Sequence, residues 1–261
     1  MSFDTDGFFS HEMDGFRDSV KAEEPSKAWF AFALELNRAM HEVLHHLPVP
    51  QPEDKAALTL AALLIRTIQS YQAALILAER GMTGDARAVL RTAIEGVVTI
   101  HALAASPKFL DCLEGQNQAN QRMLAKVVSE APDLMCGYPR GDRERIGPLG
   151  REKRDKSKEI NWGAVAAKYR LDVYPLLYRT LSIGGTHTNI DSVGRHLEKD
   201  ADGHPVGLRG GPDGEGIVPV LRIATEVAFL AVEPFVKLAP TKCFAPRFQS
   251  LQDRWSALPG E

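Results

Sequence analysis

The chain has 261 residues, 44% of them hydrophobic and 25% charged, the make-up of a soluble globular protein with material for a substantial core. A disordered, collagen-like or disulfide-stapled chain is excluded. With 31 Lys+Arg against 34 Asp+Glu, the net charge of -3 creates no whole-molecule attraction to nucleic acid or anionic lipid, so any polyanion site has to be local.

Residues 1–25 read as a polar leader, without the basic-then-apolar order of a secretory signal. From 26 to 240 the pattern predicts one all-α domain, a helical bundle with a charged insertion and a small irregular or hairpin edge. Pro25 and Ser26 precede a helix over 27–47, where apolar residues recur at every third or fourth place until Pro48, Pro50 and Pro52 stop it. Residues 53–80 hold a single charge, Arg66, between Lys55 and Glu79, so almost the whole circumference of a helix there can enter a core; Gly81 ends it. A third helix opens at Thr83 or Asp85 and runs to Ala105, where Ser106-Pro107 closes it. So short a connection makes these two helices antiparallel neighbours. Pro107 fits the first turn of a fourth helix, polar in the middle at 116–121 and finished by Pro132.

Residues 139–160 change character, with eight basic and five acidic residues and almost nothing apolar, and are expected to be an exposed, flexible insertion. Helices are expected at 162–169 and 174–183, the second ending at Gly184-Gly185, with Thr186 or Thr188 capping a continuation through Val193. Residues 195–216 form a glycine-rich loop or hairpin turning at Asp202-Gly203. Helical periodicity returns over 218–238, where Pro234 is expected to kink or end the helix, and 241–261 is a tail with a helix candidate at 245–258. The longest nearly uninterrupted apolar stretch, 56–65, is too short to cross a bilayer, and no membrane partner is expected. Cys112, Cys136 and Cys243 lie far apart without metal or redox spacing and read as free thiols of a cytoplasmic protein.

Two clusters of residues suit chemistry. On the third helix, at about 100° per residue, Arg87, Arg91 and Glu95 share one stripe with Val98, while Leu90, Ile94, Val97, Ile100 and Ala104 define a broad apolar face. Arg91 and Glu95 stand one turn apart, as do Arg222 and Glu226 further on; the bland reading of each is a structural ion pair. In the segment 174–189, Tyr174, Tyr178 and Ser182 line one side of a helix, Arg179 lies beside them, and the paired glycines allow His187 to fold back. An imidazole exchanges protons near neutrality and an arginine holds phosphate, a combination suited to an anionic transition state. The competing structural reading has Tyr178 and Ser182 bracing neighbouring helices and His187 donating to a carbonyl.

The run Gly-Asp-Ala-Arg-Ala-Val-Leu-Arg-Thr-Ala-Ile-Glu from Gly84, with Tyr-Arg-Thr-Leu-Ser and then His187, resembles an uncharacterised bacterial family of helical proteins that is similar in pattern to the HEPN superfamily. The resemblance spans about 58–238. It implies metal-independent RNA cleavage, in a stress or defence setting, by an arginine and a following histidine often completed across a dimer. Carried over by position, Arg179 holds the phosphate, His187 is the general acid or base, Arg91 assists and Glu95 orients an arginine, with Tyr178 in the same site. The spacing here is longer than the family pattern, with seven residues between Arg179 and His187, two of them glycines. The implied partners are RNA, a second copy of the chain and a neutralising protein, and no cofactor is called for. Relatives of this type that bind without cutting supply the alternative, a non-catalytic helical interaction module. The insertion, with Arg140, Arg143, Arg145, Arg151, Lys153, Arg154, Lys156 and Lys158, offers phosphate contacts or simply a solvated loop.

His41-Glu42-Val43-Leu44-His45 matches the H-E-x-x-H pattern of zinc hydrolases, a remote alternative, because Pro48 cuts off any third ligand of the usual continuation and no strand series precedes it. The expectation is a surface helix with His41, His45 and His46 in solvent. His101 falls on an apolar face and is expected to be a satisfied core histidine.

Overall fold

The computed structural model describes residues 2–130, 159–183, 190–238 and 244–259. They form an all-α bundle: α1 (Phe3–Asp6), a 3-10 turn (Gly7–Phe9), α2 (Glu12–Ala22), α3 (Ser26–His46), α4 (Lys55–Ala78), α5 (Thr83–Ala105), α6 (Phe109–Glu130), α7 (Trp162–Lys168), α8 (Tyr174–Leu181), α9 (Ile190–Gly194), a hairpin of β1 (Leu197–Lys199) and β2 (Pro205–Leu208), α10 (Ile217–Leu238) and α11 (Phe244–Ser256). Residues 139–158 of the expected insertion, together with Cys136, Cys243, Thr186, His187 and Thr188, lie outside the described residues.

The leader is folded. Met13 is buried, and Phe16 and Val20, three and seven places on, pack against the core cluster, a helical stripe hidden among the polar residues of this segment. The centre of the bundle is α10, with Ile217, Val220, Leu221, Ala224, Val227, Ala228 and Ala231 wholly buried against α3, α4 and α5. Tyr71 on α4, also wholly buried, donates its hydroxyl hydrogen to Ala33 O of α3 at 2.9 Å, so its one polar atom is satisfied inside the core. By length and composition alone α4 and α5 are long and apolar enough to cross a bilayer, although neither contains an unbroken apolar run of that length. In the fold both belong to the core.

Local chemistry sets the boundaries. Asp54 Oδ1 accepts Ala57 N–H at 2.9 Å to cap α4, and Asn161 Oδ1 accepts Ala164 N–H at 3.0 Å to cap α7. Between α4 and α5 the chain turns at Gly81, whose φ of 71° is left-handed and whose missing Cβ leaves room for Pro212 and the Asp213 backbone. Asp213 then fastens the loop before α10 to this turn: its N–H reaches Gly81 O at 3.0 Å, Oδ2 accepts the Thr83 hydroxyl at 2.6 Å, and Oδ1 accepts Gly216 N–H at 3.1 Å.

The expected hairpin is present and antiparallel, Leu197 facing Leu208 and Glu198 facing Gly207. At its tip Asp200 Oδ1 accepts the amides of Asp202 and His204 at 3.0 and 2.8 Å. Pro234 does not end α10, which continues to Leu238. A proline has no N–H for the carbonyl four residues back, so Leu230 O loses its helical partner; His101 Nε2 of α5 meets that carbonyl at 2.8 Å. His101 is half-buried rather than a full core residue, and it has a specific task, the repair of a proline defect in the neighbouring helix.

Candidate functional site

The stripe on α5 faces α8, and the two helices meet through an arginine. Arg91 Nη2 donates to Tyr178 Oη at 2.5 Å, with the guanidinium carbon 4.8 Å from the centre of the phenol ring. Glu95 Oε1 lies 4.0 Å from the same Nη2, and the Arg91 and Glu95 side chains are 22% and 33% exposed. The expected pair exists, half-sheltered, with a tyrosine as its third member. Tyr174 stacks on Tyr178 at 5.3 Å between ring centres and is itself buried. Burial pushes the Tyr174 hydroxyl up, the neighbouring Tyr178 and Glu95 push it further, and Arg91 offsets part of the rise. It stays a neutral phenol across the physiological range.

Helix spacing explains the convergence. Tyr174, Tyr178 and Ser182 are one turn apart on α8 and its continuation, and Arg87, Arg91 and Glu95 one turn apart on α5. Tyr178 touches Arg91, and Ser182 follows one turn further along the continuation of α8. Polar atoms are left over on both helices. Arg87 Nε, Arg91 Nε and Ser182 Oγ are all buried with no hydrogen-bond partner among the described residues, and Ser182 as a whole is 8% exposed. Sheltered guanidinium hydrogens and a sheltered hydroxyl without partners each cost free energy unless an acceptor reaches them. Phosphate is such an acceptor. Val98, on the same stripe, is wholly buried, so the stripe is a covered seam and not a solvent face.

Of the residues singled out in the sequence, Arg91, Glu95, Tyr174 and Tyr178 come together. Arg179 is exposed, about 100° round α8 from Tyr178, and His187 lies outside the described residues. Arg222 is exposed and Glu226 half-buried; burial raises the Glu226 carboxyl above the ordinary 4.5, with Arg222 offsetting part of that rise. In the H-E-x-x-H segment the side chains are used for packing. Glu42 pairs with Arg247 of α11, and Gln72 Nε2 meets His41 Nε2 at 2.9 Å, so His41 is half-buried against α4 while His45 and His46 are exposed. The metal-type side chains that do approach one another among the described residues are Asp200, Asp202 and His204, exposed at the hairpin tip. A cavity of about 550 Å³ between α6 and α7 carries Asp111, Glu114 and Glu159, with no cation among the described residues lining it, and suits a phosphate poorly.

The arrangement as a whole is an all-helical protein with a half-sheltered arginine seam between two of its helices. The chain belongs to a family of unknown function, DUF5677, whose model matches residues 57–205, from the first turn of α4 past α9, with α5 and α8 both inside it. No curated protein and no solved structure matches it.

Proposed function

We propose that the protein is a HEPN-like, metal-independent ribonuclease that receives an RNA phosphodiester at the α5–α8 seam. The observation that carries this reading is the half-buried Arg91, braced by Tyr178 and Glu95 while its own Nε and that of Arg87 stay unsatisfied. A cation held in place before the ligand arrives stabilises developing phosphorane charge without reorganisation at the moment of reaction. In the proposed step the 2'-oxygen attacks phosphorus and loses its proton to a general base, for which His187 is the candidate. The bond to the 5'-oxygen then breaks, and that oxygen takes a proton from solvent water, leaving a 2',3'-cyclic phosphate and a 5'-hydroxyl. Arg91 stabilises the charge, Glu95 and Tyr178 fix its guanidinium, and Arg179 contacts the strand from the exposed side. The free, exposed Cys112 supports placing this activity in the reducing cytoplasm.

The test is incubation of the purified chain with single-stranded RNA in EDTA, reading cyclic-phosphate ends. The expected result is cleavage that falls at least 100-fold in Arg91→Ala and in His187→Ala, with unchanged helical circular dichroism. Absence of cleavage across several RNAs overturns the nuclease reading. The second reading, a non-catalytic helical module, is favoured by the Arg91–Tyr178 bond as a tie between α5 and α8; it has Tyr178→Phe lower the melting temperature with no activity to lose.

A further inference from the structure

The solvent proton that reaches the departing 5'-oxygen needs a carrier beside the phosphate. α8 and its continuation offer three hydroxyls one turn apart, on Tyr174, Tyr178 and Ser182. Tyr174 and Ser182 are buried, whereas Tyr178 is half-exposed, so a strand lying on α8 can touch Tyr178 alone of the three. The phenol is held in place: its ring stacks on Tyr174 at 5.3 Å between centres, and the Arg91 guanidinium carbon stands 4.8 Å from its own ring centre. Tyr178 Oη accepts a hydrogen from Arg91 Nη2 at 2.5 Å, and the phenol's own hydrogen goes to no acceptor among the described residues. One lone pair is engaged by a cation while the O–H stays free to donate. Glu95 Oε1, 4.0 Å from Nη2, is too distant to accept the other hydrogen of that nitrogen. A phosphate oxygen that takes it at about 2.8 Å lies roughly 4–5 Å from Oη, which brings an ester oxygen on the same phosphorus within reach of the phenol hydrogen.

We propose that Tyr178 relays the solvent proton to the leaving 5'-oxygen, a catalytic role beyond fixing the Arg91 guanidinium; this rests on the reading that RNA is cleaved at the seam. As the bond from phosphorus to the 5'-oxygen breaks, its electron pair stays on that oxygen, which takes the Oη hydrogen. The phenolate left behind faces Arg91 Nη2, which already donates to it, so no group has to move to meet the new charge. Solvent water then returns a proton to Oη, and the proton that the general base drew from the 2'-hydroxyl leaves to solvent. The chain ends as it began.

The test compares two single-stranded RNAs in EDTA, one ordinary and one with sulfur in place of the 5'-bridging oxygen at a single linkage, whose thiolate departs without needing a proton. The parent chain is expected to cut both. Tyr178→Phe keeps the ring on Tyr174 and is expected to cut ordinary RNA about 100-fold more slowly, the usual worth of a general acid, and the sulfur-bridged strand within about threefold of the parent rate. Equal slowing on both strands overturns the relay and leaves Tyr178 a positioning residue; parent-rate cutting of ordinary RNA by Tyr178→Phe also overturns it. A second measurement needs no variant: with the parent chain, the rate on ordinary RNA falls at alkaline pH as the phenol gives up its hydrogen, while the rate on the sulfur-bridged strand shows no such fall, and matching profiles overturn the relay. A parent chain that cuts neither strand overturns the ribonuclease reading, and the relay with it.

Discussion

At the scale of single residues, His101 and Glu226 show how polar side chains inside this bundle are settled. His101 supplies the donor that Pro234 removes, so His101→Ala leaves the Leu230 carbonyl unsatisfied and is expected to cost about 1–3 kcal/mol in chemical denaturation. Adding Pro234→Ala returns the helical N–H, and in a double-mutant cycle the cost of losing the histidine should then fall by at least half. Glu226 behaves in the opposite sense. Burial raises its folded-state carboxyl, so the native protein binds its proton more tightly than the unfolded chain does. The stabilisation from that proton is complete below the ordinary value of 4.5 and is lost as pH rises through the folded-state value. Glu226→Gln is expected to raise the melting temperature at pH 7 and to leave it unchanged at pH 4; an equal effect at both pH values would contradict this.

At the scale of elements, the head of α5 is secured by a loop distant in sequence. Asp213 bonds Thr83, Gly81 and Gly216 together, and Asp213→Ala is expected to cost about 1–2 kcal/mol, the range of a lost helix cap, with the loss visible in urea unfolding. The same location marks where sequence reading reaches its limit. The bounds of α3, α4, α5 and α10 were legible to within a residue or two, because prolines, glycines and apolar spacing are local signals. So were Arg91, Glu95, Tyr174 and Tyr178, each carried to the seam by helical repeat. The seat of the Arg195 guanidinium against the Gly84 backbone was not, since it joins residues on separate elements, and the only local trace is a glycine in the first turn of a helix. The leader misled for a related reason: three apolar residues at 13, 16 and 20 are diluted by charged neighbours, and the core they meet is built later in the chain.

At the scale of the whole molecule, helices contributed by both ends of the chain pack around α10. Trp29 Nε1 donates to Pro259 O at 3.0 Å and Arg254 Nη1 bonds Glu35 Oε1 at 2.7 Å, so α11 is latched along α3, and the Arg254 guanidinium holds the Glu35 carboxyl below its ordinary value. Phe244, Phe248 and Leu251 bury the inner face of α11. With α3, α4, α5 and α11 packed on it, the buried face of α10 meets solvent only after several of them have separated. In deuterium, its amides from Val220 to Val232 should therefore be the last to exchange, at rates set by global opening, while those of the β1–β2 hairpin are replaced first.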